Sequence, residues 1–338
     1  MTPKDLHGAL LDSLLELAWR QWSALGVAGI RVASESVVDP EALLVATMSI
    51  GRWDARLFDE VLDWVVANNT IVDAARLRRL ARDSAEEQQR LVAVVSHLAS
   101  EGEKRVGLKR VETDLISREE GVDYGTQPLF HSSRSVPENW VPEDEVFAGV
   151  GFSRSAPELR GMSQQPDTSN PACLRFKARA LVGLGARAEV LSYLWTHEWA
   201  HGRLIAQRGA YNQSPVAGYL TALCNARLAE KRVDGRRTEY RLTEELRGLG
   251  TPTPHYVAWD AVWPALAVVA QALDSTTSLS DEALWSRLAT SLDTARKGLA
   301  AEGFAVHVPD LTGWALRGPS GLEAMVREIA DRARELGE

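Results

Sequence analysis

Along the first hundred residues, apolar positions recur with a period near 3.6, the spacing that lines one face of a helix. Leu10, Leu11, Leu14, Leu15, Leu17, Ala18 and Trp22 form such a stripe, which stops around Gly26 and Gly29. Asp39-Pro40-Glu41 restarts the pattern, with Asp39 suited to cap a helix whose first position is Pro40. Further helices are predicted over 56–66, 73–82 and 86–98, and no stretch before residue 100 alternates as a strand would.

From 101 to 170 the periodicity is lost. Gly, Pro, Ser and acidic residues dominate, and Leu129, Phe130, Trp140, Val146, Phe147 and Phe152 stand singly. No periodic run exceeds one or two turns. So long a connection is unusual inside a compact domain. Its isolated aromatics predict a strap packed over its neighbours, because a disordered tether would have few of them. Residues 153–171 are expected to be its mobile part. After residue 247, the run GLGTPTP (248–254) marks a boundary. A Trp-rich helix (256–273) follows, then a helix opened by Ser280-Asp281-Glu282 and ending near Gly303. A short extended segment (304–317) leads to a last helix (322–336), with Leu322, Met325, Val326 and Ile329 on its apolar face.

Residues 186–242 carry a different order. A first helix over 189–195 offers Val190, Leu191, Tyr193 and Leu194 to a core, and a polar break over 196–202 ends in Gly202. A short helix over 203–208 turns Leu204, Ile205 and Ala206 inward, and Gly209 makes the turn. A third helix over 213–228 has Ser214 as candidate cap, Pro215 at its first position, and Val216, Leu220, Leu223 and Leu228 on one face. Residues 229–242 read as a hairpin, with Asp234-Gly235 as its turn. Helix, helix, turn, helix, hairpin is the order of a winged helix-turn-helix. The fold class expected is therefore mainly α, with helical N- and C-terminal domains (1–100 and 251–338) around a central winged helix-turn-helix (171–250) with a small β-hairpin wing. The strap, 101–170, joins the first two.

Charge sharpens this reading. The 338-residue chain carries a formal net charge of −8, which excludes a globally basic nucleic-acid coat. Between 171 and 250, however, 13 Lys and Arg stand against 7 Asp and Glu, a local net of +6. Basic charge is thus concentrated where the pattern suggests a DNA reader, and binding that neutralises phosphates weakens with salt by roughly 0.9 in log affinity per phosphate on a log salt scale.

The segments RLIAQRGAYNQSPVAGYLTALCNARL and KRVDGRRTEYRL resemble the winged helix-turn-helix of bacterial transcription regulators of the broad ArsR/MarR type. The resemblance covers about a sixth of the chain and implies sequence-dependent binding of double-stranded DNA, often as a homodimer. In such a module the second helix of the pair enters the major groove. Asn212, Gln213, Ser214, Ala217 and Tyr219 would lie near its exposed start, where a Gln can bond adenine N6 and N7. Arg203, Lys231 and Arg232 would position the domain on phosphates, and Arg236 and Arg237 would do so from the hairpin tip. Winged helices also bind proteins, so an antitoxin-like or operon-encoded partner docked on the same module is the alternative class.

A second alternative is written in His197-Glu198-Trp199-Ala200-His201. The HExxH pattern sets two zinc ligands at i and i+4 on one helical face, with Glu as general base. Gly202 directly after the second His weakens the helix this needs, no third ligand is evident, and His197 and His201 are expected to be polar residues of an inter-helix loop. The expectation is a non-enzyme without cofactor or bound metal. Asp39, Glu41, Asp54, Asp59, Glu60 and Asp63 invite a paired-carboxylate site, but helical spacing turns several toward solvent with Arg52 and Arg56 as partners. Cys173 and Cys224 are far apart, with no CxxC, which suits a reducing cytoplasm. Cys224 is expected to be a buried small hydrophobe. The eleven Trp are expected in the core or at interfaces. Neither a signal peptide nor a membrane-spanning run is found.

Overall fold

The computed structural model describes residues 3–27, 34, 36–100, 106–116, 124–131, 143–250, 255–274, 280–311 and 318–337. Gly29, Trp140, the 251–254 part of the expected boundary and residues 312–317 of the expected extended segment lie outside these. The chain is mainly helical, with two small sheets among the described residues.

Five helices open the chain: α1 (Pro3–Ala24), α2 (Pro40–Ile50), α3 (Ala55–Ala67), α4 (Ala74–Arg82) and α5 (Glu86–Ser100). Their starts follow from capping side chains. Asp39, Asp54 and Asp73 each accept a hydrogen bond from a backbone N–H in the first turn, at 3.0–3.1 Å. The expected stripe on α1 is buried at Leu10, Leu14, Leu17, Ala18 and Trp22. Helix α1 packs against α13 (Trp259–Leu273) and α15 (Gly318–Gly337), and α13 packs against α2 and α14 (Asp281–Leu299). Buried apolar side chains from Leu6 to Ala333 form one contiguous cluster, so the helices at the two ends of the chain share a core. Trp22, Trp64, Trp259 and Trp263 are fully buried within it, and each indole N–H donates to an oxygen at 2.8–3.3 Å.

The 101–170 region holds a helix the pattern did not suggest, α6 (Val106–Leu115), which buries Leu108, Val111 and Leu115 against α4 and α5. These three buried residues have helical spacing, but Glu, Lys and Arg around them obscured it. Beyond it, β1 (Gln127–Pro128) pairs in parallel with β2 (Phe152–Ser153), with α7 (Glu145–Ala148) just before β2. Leu129, Phe130, Phe147 and Phe152 are buried, as a strap requires. Residues 154–170 have no regular structure, yet Asp63 accepts from the N–H groups of Gly161 and Ser163, and Arg154 pairs with Asp59 at 2.6 Å. Asn68 adds a bond to the Gln164 carbonyl, so this stretch is pinned along its length.

The acidic residues of the first helices differ from expectation. Asp39 and Glu41 do not face solvent; they are fully buried at the start of α2. Helices α8 (Leu174–Val182) and α9 (Ala186–Thr196) bring Arg175, Arg179 and Glu189 to them, and α4 brings Arg76. Asp39 pairs with Arg76 and with Arg175, the latter at 3.2 Å; Glu41 pairs with Arg179 at 2.7 Å; Glu189 bridges Arg175 and Arg179. Three guanidiniums thus neutralise three carboxylates, all at most 5% exposed. Burial alone would raise the Asp39 carboxyl, but the charges of Arg175 and Arg76 outweigh it and hold it far below the ordinary carboxylate range. Arg52 and Arg56 also find other partners: Arg52 pairs with Glu87, and Arg56 lies over the Trp19 ring.

Candidate nucleic-acid interface

Helix α9 ends at Thr196, and the chain continues as β3 (Ala200–His201), α10 (Gly202–Arg208), α11 (Gln213–Asn225), β4 (Ala229–Asp234) and β5 (Arg237–Leu242), with α12 (Glu244–Arg247) after it. The three strands form an antiparallel sheet in the order β3-β5-β4. The strand β3 has only two residues and no sequence alternation, so the pattern could not reveal it.

The turn between α10 and α11 is fastened to the helical body. Arg76 donates from Nε to the Gly209 carbonyl at 3.0 Å, and Arg79 donates to the Ala210 carbonyl at 3.1 Å. Cations at a helix C-terminus satisfy its free carbonyls and oppose its dipole. Tyr211 donates its hydroxyl to Asp73, and burial together with that carboxylate pushes its own ionisation well up. A Cβ on Gly209 would meet Glu189 Cβ at 3.1 Å, which explains why glycine ends α10 where it crosses α9.

Helix α11 buries Val216, Leu220 and Leu223 and exposes Gln213, Ser214, Ala217, Gly218, Thr221, Ala222 and Asn225. None of its residues is charged. Asn212, not Ser214, occupies the cap position, without a side-chain bond, and Pro215 is third in the helix. Tyr219 is half-buried against the core with Arg187 over its ring, so it is not at the exposed start as expected. Leu228 lies past the helix end and is 37% exposed, and Cys224 is only half-buried. The helix ends instead through Arg227 at φ 57°, with the Leu228 N–H reaching back to the Leu223 carbonyl. Cys173 is the buried thiol, donating to the Ala24 carbonyl, and burial pushes it up to about 12.

The hairpin turns at Gly235-Arg236, one residue later than Asp234-Gly235 suggested, and only Gly235 there has a positive φ, of 59°. Arg236 is therefore the tip, with Arg237 beside it. Register places Lys231 opposite Tyr240 and Arg232 opposite Glu239. Arg232 pairs with Glu239 at 2.7 Å and Arg241 with Glu230 at 2.9 Å, and both guanidiniums lie over Trp199 at 4.1 and 4.8 Å. This ladder around Trp199 escaped the sequence reading, because it depends on cross-strand register. Arg203, Lys231, Arg236 and Arg237 are exposed with no carboxylate in ion-pair reach among the described residues. Of the cations counted between 171 and 250, Arg175 and Arg179 are consumed by the buried cluster, and Arg208 pairs with Asp260.

His197 and His201 sit at the ends of two different helices. His197 leaves α9 in extended conformation, stacks on Tyr193, and places Nε2 2.8 Å from Glu302 Oε1. His201 caps α10, its Nδ1 accepting from the Arg203 N–H. The single helical face that HExxH needs is interrupted at residue 197. No group of three or more His, Cys, Asp or Glu among the described residues is placed to hold a metal. Likewise, no helix among them is long and apolar enough to cross a membrane. Comparison with models of protein families, with curated proteins and with solved structures finds no match to this chain.

Proposed function

We propose that residues 186–242 are a winged helix-turn-helix that binds double-stranded DNA in a sequence-dependent way, in a protein that regulates bacterial transcription. One observation carries this reading. A helix pair joined by a fastened turn presents the uncharged, small-residue face of α11, and four cations with no carboxylate in ion-pair reach among the described residues, Arg203, Lys231, Arg236 and Arg237, lie exposed on α10 and on the hairpin, the two elements that pack against it. A helix about 10–12 Å across fits a major groove about 12 Å wide. Small side chains let its backbone descend, with Asn212, Gln213, Ser214 and Ala217 toward base edges. The cations would take the flanking phosphates, and Arg232 would join them only by giving up Glu239.

Filter binding of duplex DNA from the protein's own promoter, across a salt series, tests the reading. Replacing both Arg236 and Arg237 by Ala should lower the slope of log affinity against log salt by about 2. Binding and slope unchanged in the double variant would overturn it.

The second reading is a protein partner, a homodimer or an operon-encoded protein, docked on the same module. It is favoured by the lack of charge on α11 and by Val233, 78% exposed on the hairpin. Light scattering with and without the neighbouring gene products separates it from the first.

A further inference from the structure

Tyr219 stands on one flank of α11, half-buried, and the guanidinium of Arg187 from the first turn of α9 lies over its ring, 5.7 Å from the centroid. Arg187 is exposed and has no carboxylate in ion-pair reach among the described residues. Attraction to a ring engages the face of a guanidinium, which leaves the N–H groups along its edge to donate elsewhere. The Tyr219 hydroxyl makes no hydrogen bond among the described residues, and burial raises its ionisation despite Arg187, so it stays a donor. The opposite flank of α11 belongs to the hairpin. Successive residues of a helix turn by about 100°, which sets Cys224 about 140° from Tyr219. On that side β4 packs, and the charge of its Lys231 acts on the Cys224 thiol. Ser214, Ala217, Gly218, Thr221 and Ala222 fill the exposed arc between the two flanks. The outer face of α11 is therefore bordered by Arg187 on one side and by Lys231 on the other.

We infer that Arg187 and Tyr219 together bind one backbone phosphate, on the DNA strand across the groove from the one that Lys231 meets. The inference rests on the DNA-binding reading and adds an orientation to it. Two phosphate rows border a major groove about 12 Å wide; one is held from α9 and the flank of α11, the other from the hairpin. Phosphate oxygens accept from Tyr as well as from Arg, and the planar fork of a guanidinium suits two of them at once. The ring of Tyr219 holds that fork in place before DNA arrives, so less side-chain freedom is lost on binding.

Phosphate ethylation interference with the full-length protein on duplex DNA from its own promoter tests the inference, read beside filter binding across a salt series. For the wild type, ethylation should weaken binding at phosphates of both strands that face each other across one major groove. Arg187→Ala should lower the slope of log affinity against log salt by about 1 and erase the interference on one strand only. Lys231→Ala should erase it on the other. Tyr219→Phe, which keeps the ring under Arg187, should leave the slope unchanged and weaken binding by about two- to tenfold, the worth of one hydrogen bond. Arg187 and Lys231 are exposed, and circular dichroism should report an unchanged fold in all three variants. If the wild type binds while Arg187→Ala keeps both its slope and its interference pattern, the phosphate contact is overturned and the DNA reading stands. If the wild type binds no duplex, both fall.

Discussion

The guanidiniums of Arg76, Arg175 and Arg179 and those of Arg236 and Arg237 stand at opposite extremes of solvent access in one chain. In the first group each charge has lost its water, so the fold must supply carboxylates and carbonyls in return, and it does so through Asp39, Glu41, Glu189 and the turn after α10. In the second, water screens the charge and no carboxylate among the described residues holds it. Only the second kind can exchange mobile counterions for phosphates. Local charge counted along the sequence adds the two kinds together, although one locks the helix pair to the body and the other is free to meet a partner. Arg232 and Arg241 stand between the extremes, exposed but engaged with Glu239, Glu230 and Trp199.

The contrast can be broken from either side. The largest effect is expected for Arg76→Ala, which leaves the buried Asp39 to Arg175 and releases the carbonyls of Arg208 and Gly209. Urea unfolding should show a loss of about 3–5 kcal/mol, and a loss under about 1 kcal/mol would mean that water reaches the cluster. The double replacement at Arg236 and Arg237 should leave stability within about 0.5 kcal/mol, whereas under the proposed function its effect on DNA binding should be large; a marked fall in stability would erase the distinction.

Acid offers a sharper view of the buried side. A carboxylate whose folded pKa is depressed adds stability above its unfolded value and loses that contribution as pH falls toward the folded one. Asp39 is shifted this way from 3.8, and Glu87 from 4.5. Stability followed by circular dichroism should therefore fall progressively below about pH 4.5, and the fall should be shallower in Arg76→Ala, whose Asp39 has lost one of the two guanidiniums that depress it. Two smaller effects belong to the hairpin. Gly235→Ala forces a Cβ into φ 59° and should cost about 1 kcal/mol. Glu239→Ala breaks an exposed pair and should change stability by less than about 1 kcal/mol, while freeing Arg232 and strengthening DNA binding at low salt; weaker binding would indicate that Arg232 must be held to act.

Much of the local structure was legible because it depends on neighbours in the chain. The capping of α2 by Asp39, the stripe on α1, the buried face of α11 at Val216, Leu220 and Leu223, and the hairpin all follow from spacing and cap chemistry. The candidate site was legible in the same measure: Gln213, Ser214, Ala217, Arg236 and Arg237 are exposed where the order of elements put them. Tyr219 was misjudged because helical spacing does not say which flank another helix covers. The same limit hid α6, whose apolar residues are too few to stand out from the charges around them.

The sequence by itself determined where helices start and turns fall, since a cap, a proline or a glycine acts within a few residues. Only the tertiary structure decided the fate of each charge. Asp39 caps its helix from a position read directly off the chain, yet its burial, and its guanidinium partners from α4 and α8, depend on segments 37 and 136 residues away in the chain. Desolvation and pairing are properties of the three-dimensional neighbourhood, and no local pattern encodes them.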